Sequence, residues 1–179
     1  ANGTCPEVTE TATITVETLA IGTFSYTTSS VCADGADQSV TLGANAVNGT
    51  YTVSPTGLDI DGANGSIDVS ESSAGVYTVT NTIAATAVCA QVVETATFTI
   101  NALPVVSIPA QPDYCEGDEV VLTANNPGGV TITWDNGITD GTPFNVSSSQ
   151  VNYEVRATNS LTGCANTANV SLTVNDLPV

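Results

Sequence analysis

One strand is written three times in this chain. Residues 5–19 read CPEVTETATITVETL, residues 89–104 read CAQVVETATFTINALP, and residues 164–178 read CANTANVSLTVNDLP. Cys5, Glu10, Val16 and Leu19 keep one constant offset from Cys89, Glu94, Ile100 and Leu103. Each copy alternates. In the second, Ala96, Phe98 and Ile100 interleave with Thr95, Thr97 and Thr99; Ala12, Ile14 and Val16, and Val170, Leu172 and Val174, are the counterparts. A period of two sends alternate side chains to opposite faces of a sheet, so each copy predicts a half-buried strand that closes one module. A closing strand met three times makes the chain a tandem array.

The repeat sets the boundaries. One complete module is expected over 19–102 and a second over 103–176, with 1–18 as the last strand of a preceding, truncated repeat and 177–179 as the start of the next. Inside each module the same order recurs. A leading strand (Ala20–Thr28; Val105–Ile108) is followed by a cysteine in a Gly/Asp-rich turn, CADGADQ at 32–38 and CEGD at 115–118. Then come Val40 and Leu42, or Val120 and Leu122, and an aromatic strand around Tyr51 or Trp134. A strand led by Tyr77 or Tyr153 runs into a hairpin holding Cys89 or Cys164, and the repeated strand follows. Thr and Val dominate, and short strands between turn residues predict an all-β chain of tandem immunoglobulin-like antiparallel β-sandwich domains. Trp134, Tyr51, Tyr77 and Tyr153 read as core anchors.

Charge and missing residue types exclude most chemistry. The chain has one Lys or Arg, 18 Asp or Glu and no His, for a net charge of −17. Such a surface repels phosphate backbones and anionic headgroups, so neither nucleic acid nor direct membrane contact by this segment is expected. A hydrophobic fraction of 41% is ample for packed cores. No His or Lys stands ready to activate a serine or cysteine, a histidine-bearing zinc site is excluded, and the acids sit on turns. An enzyme is not expected. Without Lys, Lys–Asn isopeptide staples are impossible too, which leaves disulfides as the available covalent braces. No cofactor is required, and calcium is the one cation the acids suit. Asp59, Asp61 and Asn64 begin a calcium-loop pattern, but Gly62 falls directly after Asp61 and no Glu closes the loop, so the stretch reads better as an Asn-Gly turn.

The pattern C-x-G-x-x-V-x-L, an aromatic strand, Y-x-V, a second cysteine and a closing T-x-T-[VI] stands here as CEGDEVVL, TITWDNG, YEVRATNSLTGC and VSLTVNDLPV. With SPTGLDIDGANGSIDVSESSAGVYTVTNTI in the first module, it resembles the immunoglobulin-like and PKD-like repeats of giant Bacteroidetes cell-surface proteins. These are similar to adhesins exported by the type IX secretion route, gliding-motility adhesins among them. The resemblance covers essentially the whole chain. It implies an extracellular, cell-surface stalk or filament repeat that extends and stiffens a fibre for adhesion, gliding or capture of surfaces or prey. Its partners would be neighbouring repeats of the same chain and identical chains in an oligomer or filament. The alternative is a carbohydrate- or protein-binding accessory module of a secreted multidomain protein. That role would need an exposed aromatic platform, for which Phe24 and Tyr26 are the loosest aromatics.

Five cysteines suit an oxidising compartment. In a sandwich of this kind, the turn holding Cys32 or Cys115 lies at the bottom of its module and the hairpin holding Cys89 or Cys164 at the top. A strand of about seven residues separates those ends by roughly 23 Å, whereas a disulfide needs Cα atoms within about 7 Å. In a tandem, the bottom of one module meets the top of the next. The reading taken is therefore a disulfide Cys32–Cys164 across the junction, with absent neighbours supplying partners for the other cysteines. Pairing within modules, Cys32–Cys89 and Cys115–Cys164, is the alternative. The connector between Ile100 and Val105 is short and apolar, so Leu103 is expected to be buried where the modules meet, with Pro104 fixing the exit angle.

Overall fold

A computed structural model of the chain describes residues 3–126 and 128–176. The described residues are all-β and contain no helix. The first eight strands are β1 (Phe24–Tyr26), β2 (Ser30–Cys32), β3 (Val40–Leu42), β4 (Thr50–Ser54), β5 (Asp59–Ile60), β6 (Ile67–Asp68), β7 (Gly75–Ile83) and β8 (Val92–Asn101). One sheet has the order β2-β8-β7-β4. Facing it, β1 pairs with β3 and β5 with β6, and a bridge between Gln38 and Ile67 links the start of β3 to β6. Tyr51, Tyr77, Val79, Phe98 and Ile100 from the first layer meet Leu58, Ile67 and Val69 from the second. In β8 the repeated line behaves as its alternation requires: Phe98 and Ile100 are 0% and 1% exposed while Thr95 and Thr97 face solvent. Each such burial contributes about 1.5–3 kcal/mol.

The remaining strands are β9 (Tyr114–Cys115), β10 (Glu119–Val120), β11 (Val130–Trp134), β12 (Phe144–Asn145), β13 (Asn152–Asn159), β14 (Ala165–Ser171) and β15 (Val174–Asn175). They form β11-β13-β14, β10-β12 and β9-β15. Their core holds Val120, Leu122, Trp134, Val146, Tyr153, Val155 and Leu172, all from the second half of the chain. Each half carries, near the start of β7 or β13, a tyrosine whose hydroxyl turns back to the chain. Tyr77 Oη donates to the Ser73 carbonyl at 2.7 Å and Tyr153 Oη to the Gln150 carbonyl at 3.0 Å. That corner, and the parallel pairing of an early strand with the last one (β2 with β8, β9 with β15), define immunoglobulin-like sandwiches.

The strands depart from the sequence reading in three places. The leading strand expected over Ala20–Thr28 is split, because after pairing with β3 the chain crosses through exposed Thr27–Ser29 to the other sheet and joins β8. Cys32 consequently ends a strand instead of lying within a turn. In the second half, Val105–Ile108 makes a single bridge, Ser107 with Asn125; Pro104 and Pro109 flank it and have no N–H to give a ladder. Finally, residues 3–18, read as a strand, form none, and Val8, Ile14 and Val16 are 82%, 85% and 87% exposed. An alternating segment becomes a strand only when a neighbouring strand takes its N–H and C=O groups, and none lies beside this one among the described residues. The expected start of a further repeat at 177–179 lies outside the described residues.

Candidate functional site

The feature most unlike ordinary sandwich packing is the joint between the two cores. Cys32 and Cys164 form a disulfide with Cα atoms 5.6 Å apart, across a sequence separation of 132. Cys32 ends β2 and stands opposite Asn101, the last residue of β8, in the parallel pair. The Ala33 N–H donates to the Asn101 carbonyl at 2.9 Å, and the Asn101 side-chain amide donates to Ser30 Oγ at 2.7 Å and the Val31 carbonyl at 3.1 Å. The Cys32 carbonyl accepts the Gly35 N–H at 2.8 Å, and a Cβ on Gly35 would meet that same oxygen at 2.9 Å. The site is thus fixed from both strands before the sulfur is considered.

Cys164 lies in the β13–β14 hairpin and is 1% exposed. Its carbonyl accepts the Asn159 N–H at 2.8 Å, and Asn159 Oδ1 takes the Leu161 N–H at 2.9 Å. Gly163, at φ 76°, supplies the left-handed residue that turns the chain. Just after the cysteine, the Asn166 side-chain amide donates to the Pro104 carbonyl at 3.1 Å, tying the hairpin to the connector. Pro104 is buried and Leu103 only half-buried, the reverse of the emphasis in the sequence reading. Proline has no N–H to leave unpaired and its carbonyl is taken by Asn166, so burying it forfeits no hydrogen bond.

Cys89 and Cys115 occupy repeats of these positions. Cys89 is half-buried in the β7–β8 hairpin, its Sγ 4.0 Å from the Glu17 carbonyl oxygen, while Thr86 Oγ1 reaches Glu17 Oε2 at 3.3 Å. Cys115 ends β9 and is exposed, as is Cys5. Beside Cys115, the Ser148 N–H donates to Glu116 Oε2 at 2.6 Å; this bond first, then the Ser148 and Ser147 hydroxyls, holds the Glu116 carboxyl below its ordinary range.

The candidate calcium residues lie on the β5–β6 hairpin. Asp61 Oδ1 accepts the Ala63 N–H at 2.7 Å, its Oδ2 accepts the Asn64 amide at 2.6 Å, and Asn64 Oδ1 accepts the Ser66 N–H at 2.8 Å. These oxygens close an Asx-type turn. Asp59 shares a shallow groove with Asp37, Asp61 and Asp68, yet among the described residues no three His, Cys, Asp or Glu side chains are placed to hold a metal. The loose aromatics are not a platform either. Phe24 packs edge-on to Tyr51 at 5.3 Å and Tyr26 lies 5.2 Å from Phe98, donating its hydroxyl to the Gly65 carbonyl at 2.7 Å. Burial, and after it the neighbouring Tyr51, pushes the Tyr26 phenol well above its ordinary range.

The strand order and register above make this a pair of immunoglobulin-like sandwiches joined by a disulfide, a bond at home in an oxidising compartment. No family model and no curated protein sequence matches the chain. Among solved structures, immunoglobulin domains 1–5 of Sidekick-1 align at 13% identity and a TM-score of 0.30, over 86% of this chain and 40% of that one. The titin domains Z1Z2, solved in complex with telethonin, align at 14% identity and a TM-score of 0.25, over 88% of this chain and 100% of that one.

Proposed function

We propose that this chain is a stalk segment of a long extracellular surface adhesin, which extends and stiffens a fibre and holds a binding tip away from the cell. The observation that carries the reading is the joint. A disulfide, a buried proline and an Asn–carbonyl hydrogen bond converge where two sandwiches meet, and a merely flexible linker would need none of them. The charge of −17 fits the same role, since like-charged fibres repel and stay dispersed. Neighbouring repeats of the same chain are the first partners of such a segment, and identical chains in a filament the second.

Residual dipolar couplings on the oxidised chain test the stiffness. A single alignment tensor should fit the amides of β7 and β13 together. Two tensors of unequal magnitude, one per sandwich, would show a hinge where the proposal requires a rod.

A further inference from the structure

The far end of the second sandwich repeats the joint with half of it missing. Cys115 stands opposite Asn175 in the parallel β9·β15 pair, as Cys32 stands opposite Asn101. The following N–H donates to the asparagine carbonyl at 2.9 Å in both cases, Glu116 to Asn175 and Ala33 to Asn101. Each asparagine side chain donates to the carbonyl preceding the cysteine, Tyr114 at 3.3 Å and Val31 at 3.1 Å. Each cysteine carbonyl accepts a turn N–H, from Asp118 at 3.0 Å and from Gly35 at 2.8 Å. The sequence then runs Asn101-Ala-Leu-Pro104 in one case and Asn175-Asp-Leu-Pro178 in the other. What differs is the sulfur: Cys32 is bonded to a hairpin cysteine, and Cys115 is exposed and free. At the opposite end of the chain, Cys89 repeats the hairpin half, beside the connector residue Glu17 as Cys164 lies by the Pro104 connector.

We infer that Cys115 is one half of a second staple, and that its partner is the hairpin cysteine of a further immunoglobulin-like module seated at the end of β15. The inference rests on the stalk reading and extends it: every joint carries the same covalent brace. Formation needs an oxidant, supplied by a small-molecule disulfide such as oxidised glutathione. The Cys115 thiolate attacks the donor disulfide and releases one thiol; the hairpin thiolate then attacks the mixed disulfide and releases the second. Two protein thiols and one donor disulfide thus become one protein disulfide and two small thiols, and the protons leave on the released thiols.

The test extends the full chain after Pro178 with a second copy of residues 105–176, so that Pro178 precedes Val105 as Pro104 does. The added copy carries Thr162→Ser as a mass tag on its hairpin. After oxidation in a glutathione buffer, the products are mapped without reduction using a Glu-specific protease, because the chain offers trypsin a single basic residue. The expected result is a Cys115 peptide joined to the tagged hairpin peptide, alongside Cys32 joined to the untagged one. Cys115 left alkylatable, or joined to Cys5, Cys89 or the untagged hairpin, overturns the inference while an intact Cys32–Cys164 bond leaves the stalk reading standing. Loss of Cys32–Cys164 would instead fall on the stalk reading. A parallel extension with residues 21–102, whose hairpin carries Cys89, guards against one added module failing to fold; a free Cys115 in both overturns the proposal.

Discussion

Asn81 is the residue that sequence reading passed over. It follows Tyr77 and Val79 at the next inward position of β7, and it is 0% exposed. Its amide donates to the Gly22 carbonyl at 2.9 Å and its oxygen accepts the Gly49 N–H at 2.8 Å, so one side chain holds the start of the sandwich against the β3–β4 loop. Gly49 is required there, since a Cβ would run into the Thr82 carbonyl oxygen. Asn81→Ala leaves buried backbone groups without partners and is expected to lower the stability of the first sandwich by about 2 kcal/mol in urea denaturation. A change below about 0.5 kcal/mol would mean that water takes over both bonds. The inward register of Asn81 is legible from the alternation. Its two partners, far away in the chain, are not.

The same pattern meets two fates at the level of the strand. The segment ETATITV at 10–16 and the segment ETATFTI at 94–100 differ little, yet the second is the centre of a sheet and the first lies exposed. Alternation says which residues share a face, whereas a strand exists only if another supplies its ladder. Deleting residues 3–18 is therefore expected to shift the unfolding free energy of the remaining chain by no more than about 0.5 kcal/mol. A loss of several kcal/mol would place the segment inside the first sandwich.

At the scale of the whole molecule the disulfide decides how tension travels. A pull along the chain enters through β1 and β2, crosses from Cys32 to Cys164, and leaves through β14 and β15. The chain between the two cysteines, most of both cores, lies outside that path. Force spectroscopy on the oxidised chain should show full unfolding giving less extension than on the reduced chain. The shortfall is roughly 450 Å, taking about 3.5 Å per extended residue over the separation of 132. Equal contour lengths before and after reduction would remove the bond from the load path. In the chain-entropy account, a closed loop of that length also stabilises the folded joint by about 5 kcal/mol.

The sequence alone determined the fold class, the repeated strand pattern, and which positions of β8 and β14 face a core. All of these are local: they follow from period-two alternation and from turn residues that recur in order. Module topology also favours Cys32–Cys164 over pairing within modules, because a module's length sets its own two ends apart. Only the tertiary structure decided what depends on distant neighbours. It split the leading strand between two sheets, buried Pro104 more deeply than Leu103, left 3–18 without a ladder, and gave Asn81, Asn101 and Asn166 their partners. The repeated asparagine before Leu-Pro was in plain view in NALP and NDLP. Its meaning appears only once a carbonyl from another strand is brought against it, for a hydrogen bond records position in space and sequence records order.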